Sequence, residues 1–151
     1  MRGGSHRKVT PVHQLYTTTA TATGDGREGT ARSADGLLDV KLAAPTGLGG
    51  AGGAATNPEQ LFAAGYSACF HSALLWIARQ RGLRPSGSSV TAEVALLESD
   101  TGMRLSVSLT AHLPGVPADV ADELVTQAHQ VCPYSAATRG DIDVTVARGE
   151  S

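Results

Sequence analysis

Two cysteines stand in settings that could support chemistry. Cys69 lies inside the uncharged run Leu61 to Ala78, in Tyr66-Ser67-Ala68-Cys69-Phe70, and Cys132 immediately precedes Pro133 at the end of a second apolar-periodic segment. A cysteine in such surroundings is either a small buried hydrophobe or a thiol whose reactivity is used, and position alone leaves both readings open. A reactive thiol must be a thiolate. An apolar helix interior raises a thiol's pKa, so a fixed cation is needed nearby. Arginine suits that task, because its planar fork stays charged and a carboxylate can hold it in place. Arg27, at the first hairpin, and Glu59, at the start of the Cys69 helix, are the candidates for cation and orienter. Each also has an ordinary reading, a solvated hairpin arginine and a glutamate at the positive end of a helix dipole.

Two other chemistries compete. Cys69, His71, His129 and Cys132 offer two sulfurs and two imidazoles, the donor set of a zinc site. Residues two apart on a helix project about 200° from each other, so Cys69 and His71 should not converge on one ion, whereas His129 and Cys132 can. Gly47-x-Gly49-x-x-Gly52 matches a dinucleotide fingerprint in letters only. Its glycines precede the helix cap by several residues, and no acid ends a strand about twenty residues on. A glycine-rich segment that permits close backbone packing is the preferred reading.

The elements that must hold these residues can be read from periodicity. Leu15 to Thr23 alternates and predicts a strand, Gly24-Asp25-Gly26 a tight turn, and Arg27 to Ser33 the returning strand. Ala34-Asp35-Gly36 turns again, and Leu38, Val40 and Leu42 mark the buried face of a third strand. Pro45 to Ala55 carries five glycines in eleven residues and reads as a loop. It leads into a well-signalled helix: Asn57 as cap, Pro58 at the first position, Glu59 at the dipole, and Gln60 able to complete a capping box. That helix is apolar nearly all round, which implies burial on several sides, and ends at Arg79, Arg81 and Gly82. Val90 to Leu96 and Leu105 to Ala111 alternate about Asp100-Thr101-Gly102, a second hairpin. Val120, Leu124, Ala128 and Val131 keep helical spacing up to Pro133, and Ile142, Val144 and Val146 form a last strand. The order βββ-α-ββ-α-β places the chain in the α+β class.

With 151 residues the chain has room for one domain, assigned to residues 13–148 after a flexible segment 1–12. The net charge is −2 and the twelve Lys and Arg residues are scattered, so nucleic acid is not an expected partner. The run Leu61 to Ala78 contains Gly65, Ser67, His71 and Ser72, so it is expected to be a core helix rather than a membrane span. Met1 to Lys8 lacks the apolar stretch of an export signal, which points to a cytoplasmic protein with reduced thiols. Aromatics are only 4% of the chain, so Ala, Val and Leu must build the core, and two small strand groups beside an all-round apolar helix predict a homodimer.

The segments Leu15-Tyr16-Thr17, Thr56 to Phe70, Val131-Cys132-Pro133-Tyr134-Ser135 and Ala137-Thr138-Arg139-Gly140 together resemble the organic hydroperoxide resistance proteins of the OsmC/Ohr family. The resemblance runs from about Leu15 to Val146. It implies an intertwined homodimer and a thiol-dependent peroxidase that needs no metal, flavin or other cofactor. Cys69 would be the peroxidatic cysteine, Cys132 the resolving cysteine, Arg27 the active-site arginine, with Arg32 as the alternative, and Glu59 its carboxylate partner. A Cys69 sulfenic acid would resolve to a Cys69–Cys132 disulfide, and an external dithiol, a dihydrolipoyl group on a lipoylated protein, would restore both thiols. Phe62, Tyr66 and Phe70 suit an alkyl or fatty-acid hydroperoxide substrate. The osmotically induced branch of the family and a non-enzymatic lipid-like ligand-binding protein are the other readings.

Overall fold

The structure, a computed structural model, describes residues 12–150, so nearly all of the segment 1–12 lies outside the described residues. The chain forms two compact units, one ending at Ala55 and the other beginning at Thr56.

In the first unit β1 (Ala20–Thr23), β2 (Thr30–Ser33) and β3 (Asp39–Lys41) make an antiparallel meander, with Thr21 opposite Arg32 and Ala31 opposite Val40. The first connection is wider than the predicted tight turn. Gly24 and Gly26 take positive φ of 83° and 63°, and a 3-10 turn follows over Gly26–Glu28. Arg27 therefore sits in that turn and not in the returning strand. The second connection matches its prediction. Asp35 Oδ1 accepts from Ser33 Oγ at 2.6 Å and from the Leu37 N–H at 3.0 Å, and these bonds hold its carboxyl below the usual range.

The first strand is shorter than its alternation predicts, because β2 ends at Ser33 opposite Ala20 and the ladder runs out of partners before Leu15. Leu15 and Tyr16 are 96% and 79% exposed. Of the predicted buried face of the third strand, Leu42 is buried and Leu38 is exposed. In the glycine-rich loop, Gly49, Gly52 and Gly53 have positive φ, and a Cβ on Gly50 would collide with the Ala44 carbonyl. Close backbone packing is what these glycines permit.

The second unit begins with α1 (Pro58–Gln80). Asn57 Oδ1 accepts from the Gln60 N–H at 2.9 Å, with Pro58 at the first helical position. The capping box is not closed, because Gln60 Oε1 takes the Thr56 hydroxyl instead. β4 (Ser89–Ser99) and β5 (Gly102–His112) form a long hairpin in which Gly102, at φ 119°, leaves the turn. α2 (Ala118–Val131) and α3 (Pro133–Thr138) carry the chain across to β6 (Asp143–Arg148), which pairs parallel to β5.

The short α3 is an element that periodicity missed. A residue before proline is pushed out of the helical region, so Cys132 adopts φ −64°, ψ 123° and breaks the helix, and Pro133 starts a new one. The α+β order is otherwise as expected.

The core joins one stripe of α1, Tyr66, Phe70, Leu74 and Ala78, to Val107, Leu109 and Ala111 of β5 and to Ala121, Leu124, Val125 and Ala128 of α2. Spacing of four keeps the α1 residues on one face. Burying each large apolar side chain contributes about 1.5–3 kcal/mol. The α2 face is turned by about one residue from the predicted set: Leu124 and Ala128 are buried, but Val131 is exposed and Ala121 and Val125 are inside. α1 is not buried on several sides as expected. Only its one stripe is enclosed, and Trp76 is 51% exposed. By length and composition the helix could cross a bilayer, but its apolar stripe lies in the protein core.

Candidate functional site

Cys69 and Cys132 come from segments 63 residues apart, and their sulfurs meet at 3.5 Å. The helix break supplies the geometry. Cys132 ends α2 in an extended conformation, so its side chain faces α1, where Cys69 lies one turn beyond Tyr66. Cys132 is fully buried, whereas Cys69 is partly open to solvent. Cys69 is the more accessible residue of the pair.

Burial pushes the Cys69 thiol up, and the neighbouring Cys132 adds to that rise. The backbone N–H of Tyr134, at the start of α3, hydrogen-bonds the sulfur and pulls the other way. The thiolate therefore needs further stabilisation before it can react readily at neutral pH.

Aromatic rings wall this end of α1. Phe62 meets Tyr66 edge to face at 5.9 Å, and the Tyr134 ring lies 5.7 Å from Tyr66 and 6.5 Å from Phe62. Gly65 leaves room for that third ring, since a Cβ there would sit 3.1 Å from Tyr134 Oη. The result is an apolar wall beside a thiol.

Beneath the sulfurs lies a buried polar cluster that sequence reasoning did not find. Tyr66 Oη is 2.8 Å from Ser135 Oγ and 3.2 Å from Thr138 Oγ1, and His129 Nδ1 is 2.8 Å from the same Ser135 Oγ. Burial, and then the charge of Arg139, hold the His129 imidazole below its ordinary pKa. The signal was present in the spacing: Tyr66 precedes Cys69 by three, and Ser135 follows Cys132 by three.

The other predicted residues are placed as follows. Glu59 occupies the first turn of α1, and Arg27 the 3-10 turn of the first unit. Arg32 packs over Gly36 and lies 3.8 Å from Asp39 on the neighbouring strand. Of the four residues weighed as a zinc set, the sulfurs face each other, His71 Nε2 faces Ser88 Oγ at 3.0 Å, and His129 Nδ1 faces Ser135. Among the described residues no group of three or more His, Cys, Asp or Glu side chains could hold a metal ion.

The family model described as "OsmC-like protein" matches residues 50–147. The organic hydroperoxide resistance protein of Xanthomonas axonopodis pv. citri is 51% identical over 139 residues, 91% of this chain and 97% of the relative. OhrA of Bacillus subtilis is 48% identical, over 90% of this chain and 97% of its own length. Among solved structures, the organic hydroperoxide resistance protein of Elizabethkingia anophelis superposes with a TM-score of 0.87 at 45% identity, covering 93% of this chain and all of that one. OhrB of Bacillus subtilis gives 0.83 at 40% identity, covering 90% of this chain and 100% of that one. On its fold, its cysteine segments and these matches, the chain belongs to the organic hydroperoxide resistance proteins of the OsmC/Ohr family.

Proposed function

We propose that this protein is a cysteine-based peroxidase that reduces organic hydroperoxides to alcohols. The observation that carries the reading is the 3.5 Å approach of a partly exposed Cys69 to a fully buried Cys132. The Cys69 thiolate attacks the outer oxygen of the hydroperoxide, the O–O bond breaks, and the alkoxide leaves as an alcohol after taking a proton. The Cys69 sulfenic acid then condenses with the Cys132 thiol, forming a disulfide and releasing water. A dithiol, in this reading a dihydrolipoyl group on a carrier protein, reduces the disulfide through a mixed disulfide and is itself oxidised to a cyclic disulfide. The steps need no metal or flavin.

By the family resemblance, Arg27 is the cation that offsets the raised Cys69 pKa and Glu59 the carboxylate that orients it. Arg32, 3.8 Å from Asp39 on the neighbouring strand, is the alternative. The rings of Phe62 and Tyr134 favour an alkyl or fatty-acyl peroxide over hydrogen peroxide, whereas Tyr66 and Phe70 are fully buried in the core. The working unit is an intertwined homodimer. Among the described residues up to Ala55, Leu42 is the only buried large hydrophobe, too little for three strands to stand on, and the Leu15 segment lacks a partner in its sheet. A second chain would cover both, as well as the open faces of α1. Two thiols kept reduced suit the cytoplasm.

Peroxide consumption with dihydrolipoamide as reductant tests the reading. Cys69→Ser should abolish turnover, and Cys132→Ser should react once and stop at sulfenic acid. Arg27→Ala should slow the first oxidation at least tenfold, about 1.4 kcal/mol of barrier. A Cys69→Ser protein that turns over like the wild type would end the proposal.

A further inference from the structure

We propose that Tyr66, acting with Ser135 and His129, is a positioning residue that sets the register of the two cysteines for disulfide closure. This role rests on the peroxidase reading above and adds residues to it. α1 and the α2–α3 junction touch through two cross-links whose sequence offsets mirror each other: Tyr66 to Ser135, and, three residues along each segment, Cys69 to Cys132. Three residues on a helix rise about 4.5 Å, so the polar rung lies one turn from the sulfur rung on the same face of α1. Tyr66 and Ser135 are fully buried, which leaves their hydroxyls no water to exchange with.

The proton inventory gives the polar rung a direction. Thr138 Oγ1 donates its one hydrogen to the Ser135 carbonyl at 3.2 Å, so it can only accept from Tyr66. Tyr66 then spends its hydrogen on Thr138 and accepts from Ser135 Oγ–H, and Ser135 in turn accepts from His129 Nδ1–H. This single assignment satisfies every contact, and it fixes the His129 tautomer. Arg139 closes the outer end by donating to the His129 carbonyl at 2.9 Å. Cys132 has no such anchor of its own, because its thiol contacts Cys69.

Disulfide formation must bring the sulfurs from 3.5 Å to about 2.05 Å. The step joins Cys69–SOH and Cys132–SH into one S–S bond and expels the sulfenic oxygen as water. A second peroxide competes for the same sulfenic acid and carries it to the irreversible sulfinic acid. The polar rung holds Ser135 on α1 while Cys132 closes, so it favours the disulfide in that competition.

The test compares Tyr66→Phe and Ser135→Ala with Val125→Ala, a core variant outside the cluster that also lowers stability. The first readout is the effective concentration of the thiol pair in a glutathione redox buffer, which needs no peroxide. Tyr66→Phe and Ser135→Ala should each lower it by about tenfold, the scale of one lost hydrogen bond. Val125→Ala should leave it unchanged. In rapid-quench experiments on Ser135→Ala with tert-butyl hydroperoxide, sulfenic acid should form at close to the wild-type rate, decay more slowly to disulfide, and leave more sulfinic acid by mass spectrometry. His129→Asn, which keeps a donor near the Nδ1 position, should lie close to wild type. A wild-type effective concentration in both hydroxyl variants, or an equal fall in Val125→Ala, overturns the proposal. A protein that ignores peroxide yet shows the tenfold fall would refute the peroxidase reading and leave the register role standing.

Discussion

One equivalent of tert-butyl hydroperoxide should make this protein melt at a higher temperature. Oxidation closes a loop of 63 residues between Cys69 and Cys132. Loop-closure entropy for a loop of that length removes about 4 kcal/mol of freedom from the unfolded chain at 25 °C. The folded state must give some of that back, because the sulfurs stand 3.5 Å apart and have to approach by about 1.5 Å. Cys132 forms the break between α2 and α3, and its backbone is bonded into both helices, so the approach falls to rotation of its side chain. A net gain of about 3 kcal/mol is therefore expected, within the usual range for a disulfide. For a chain of this size that is a rise in Tm of about 6–12 °C. Calorimetry at fixed protein concentration, before and after oxidation, measures it, with peptide mass mapping to establish that the bond is within one chain. Cys132→Ser should show no such rise. An intramolecular disulfide that leaves Tm unchanged or lowers it would refute the reasoning, because the folded state would then have to strain to form the bond.

Gly65→Ala should raise the urea midpoint by the equivalent of about 0.5–1 kcal/mol, since alanine is the better helix former and the half-exposed Tyr134 ring, 3.1 Å from the new Cβ, can swing aside. A loss of stability would mean that the ring is pinned. His129 has a folded pKa below its unfolded value of about 6.5, so the unfolded chain binds more protons between the two values and stability should fall as the pH drops through that window. His129→Asn should flatten this part of the urea-midpoint profile, and an unchanged profile would show that other groups govern it. Light scattering at micromolar concentration should give the mass of two chains, and on dilution circular dichroism and activity should decline together. A folded, active monomer would contradict the dimer.

The sequence alone determined most of the elements and the family to which the chain belongs. Asn57-Pro58 starts α1 where the cap chemistry demands it, and the alternation about Asp100-Thr101 makes the long hairpin, because local hydrogen bonding and side-chain period decide such features within a few residues. The cysteine segments were legible as a family pattern, but nothing in their spacing brought two sulfurs 63 residues apart to 3.5 Å. That required α2 to cross back over α1 and to break at Cys132, and the crossing is a property of the packed core rather than of either segment. The exposed segment Leu15 to Thr19, which stays outside β1, and the one-sided burial of α1 also departed from expectation, since alternation and apolar content state what a segment can pair with or bury, and only the tertiary structure states what is there to meet it. The polar rung was hidden for a related reason. Nothing in the spacing of Tyr66, His129, Ser135 and Thr138 by itself linked their side chains to one another, and they become a hydrogen-bonded cluster only when three helices converge, where an unpaired buried hydroxyl would cost too much to keep.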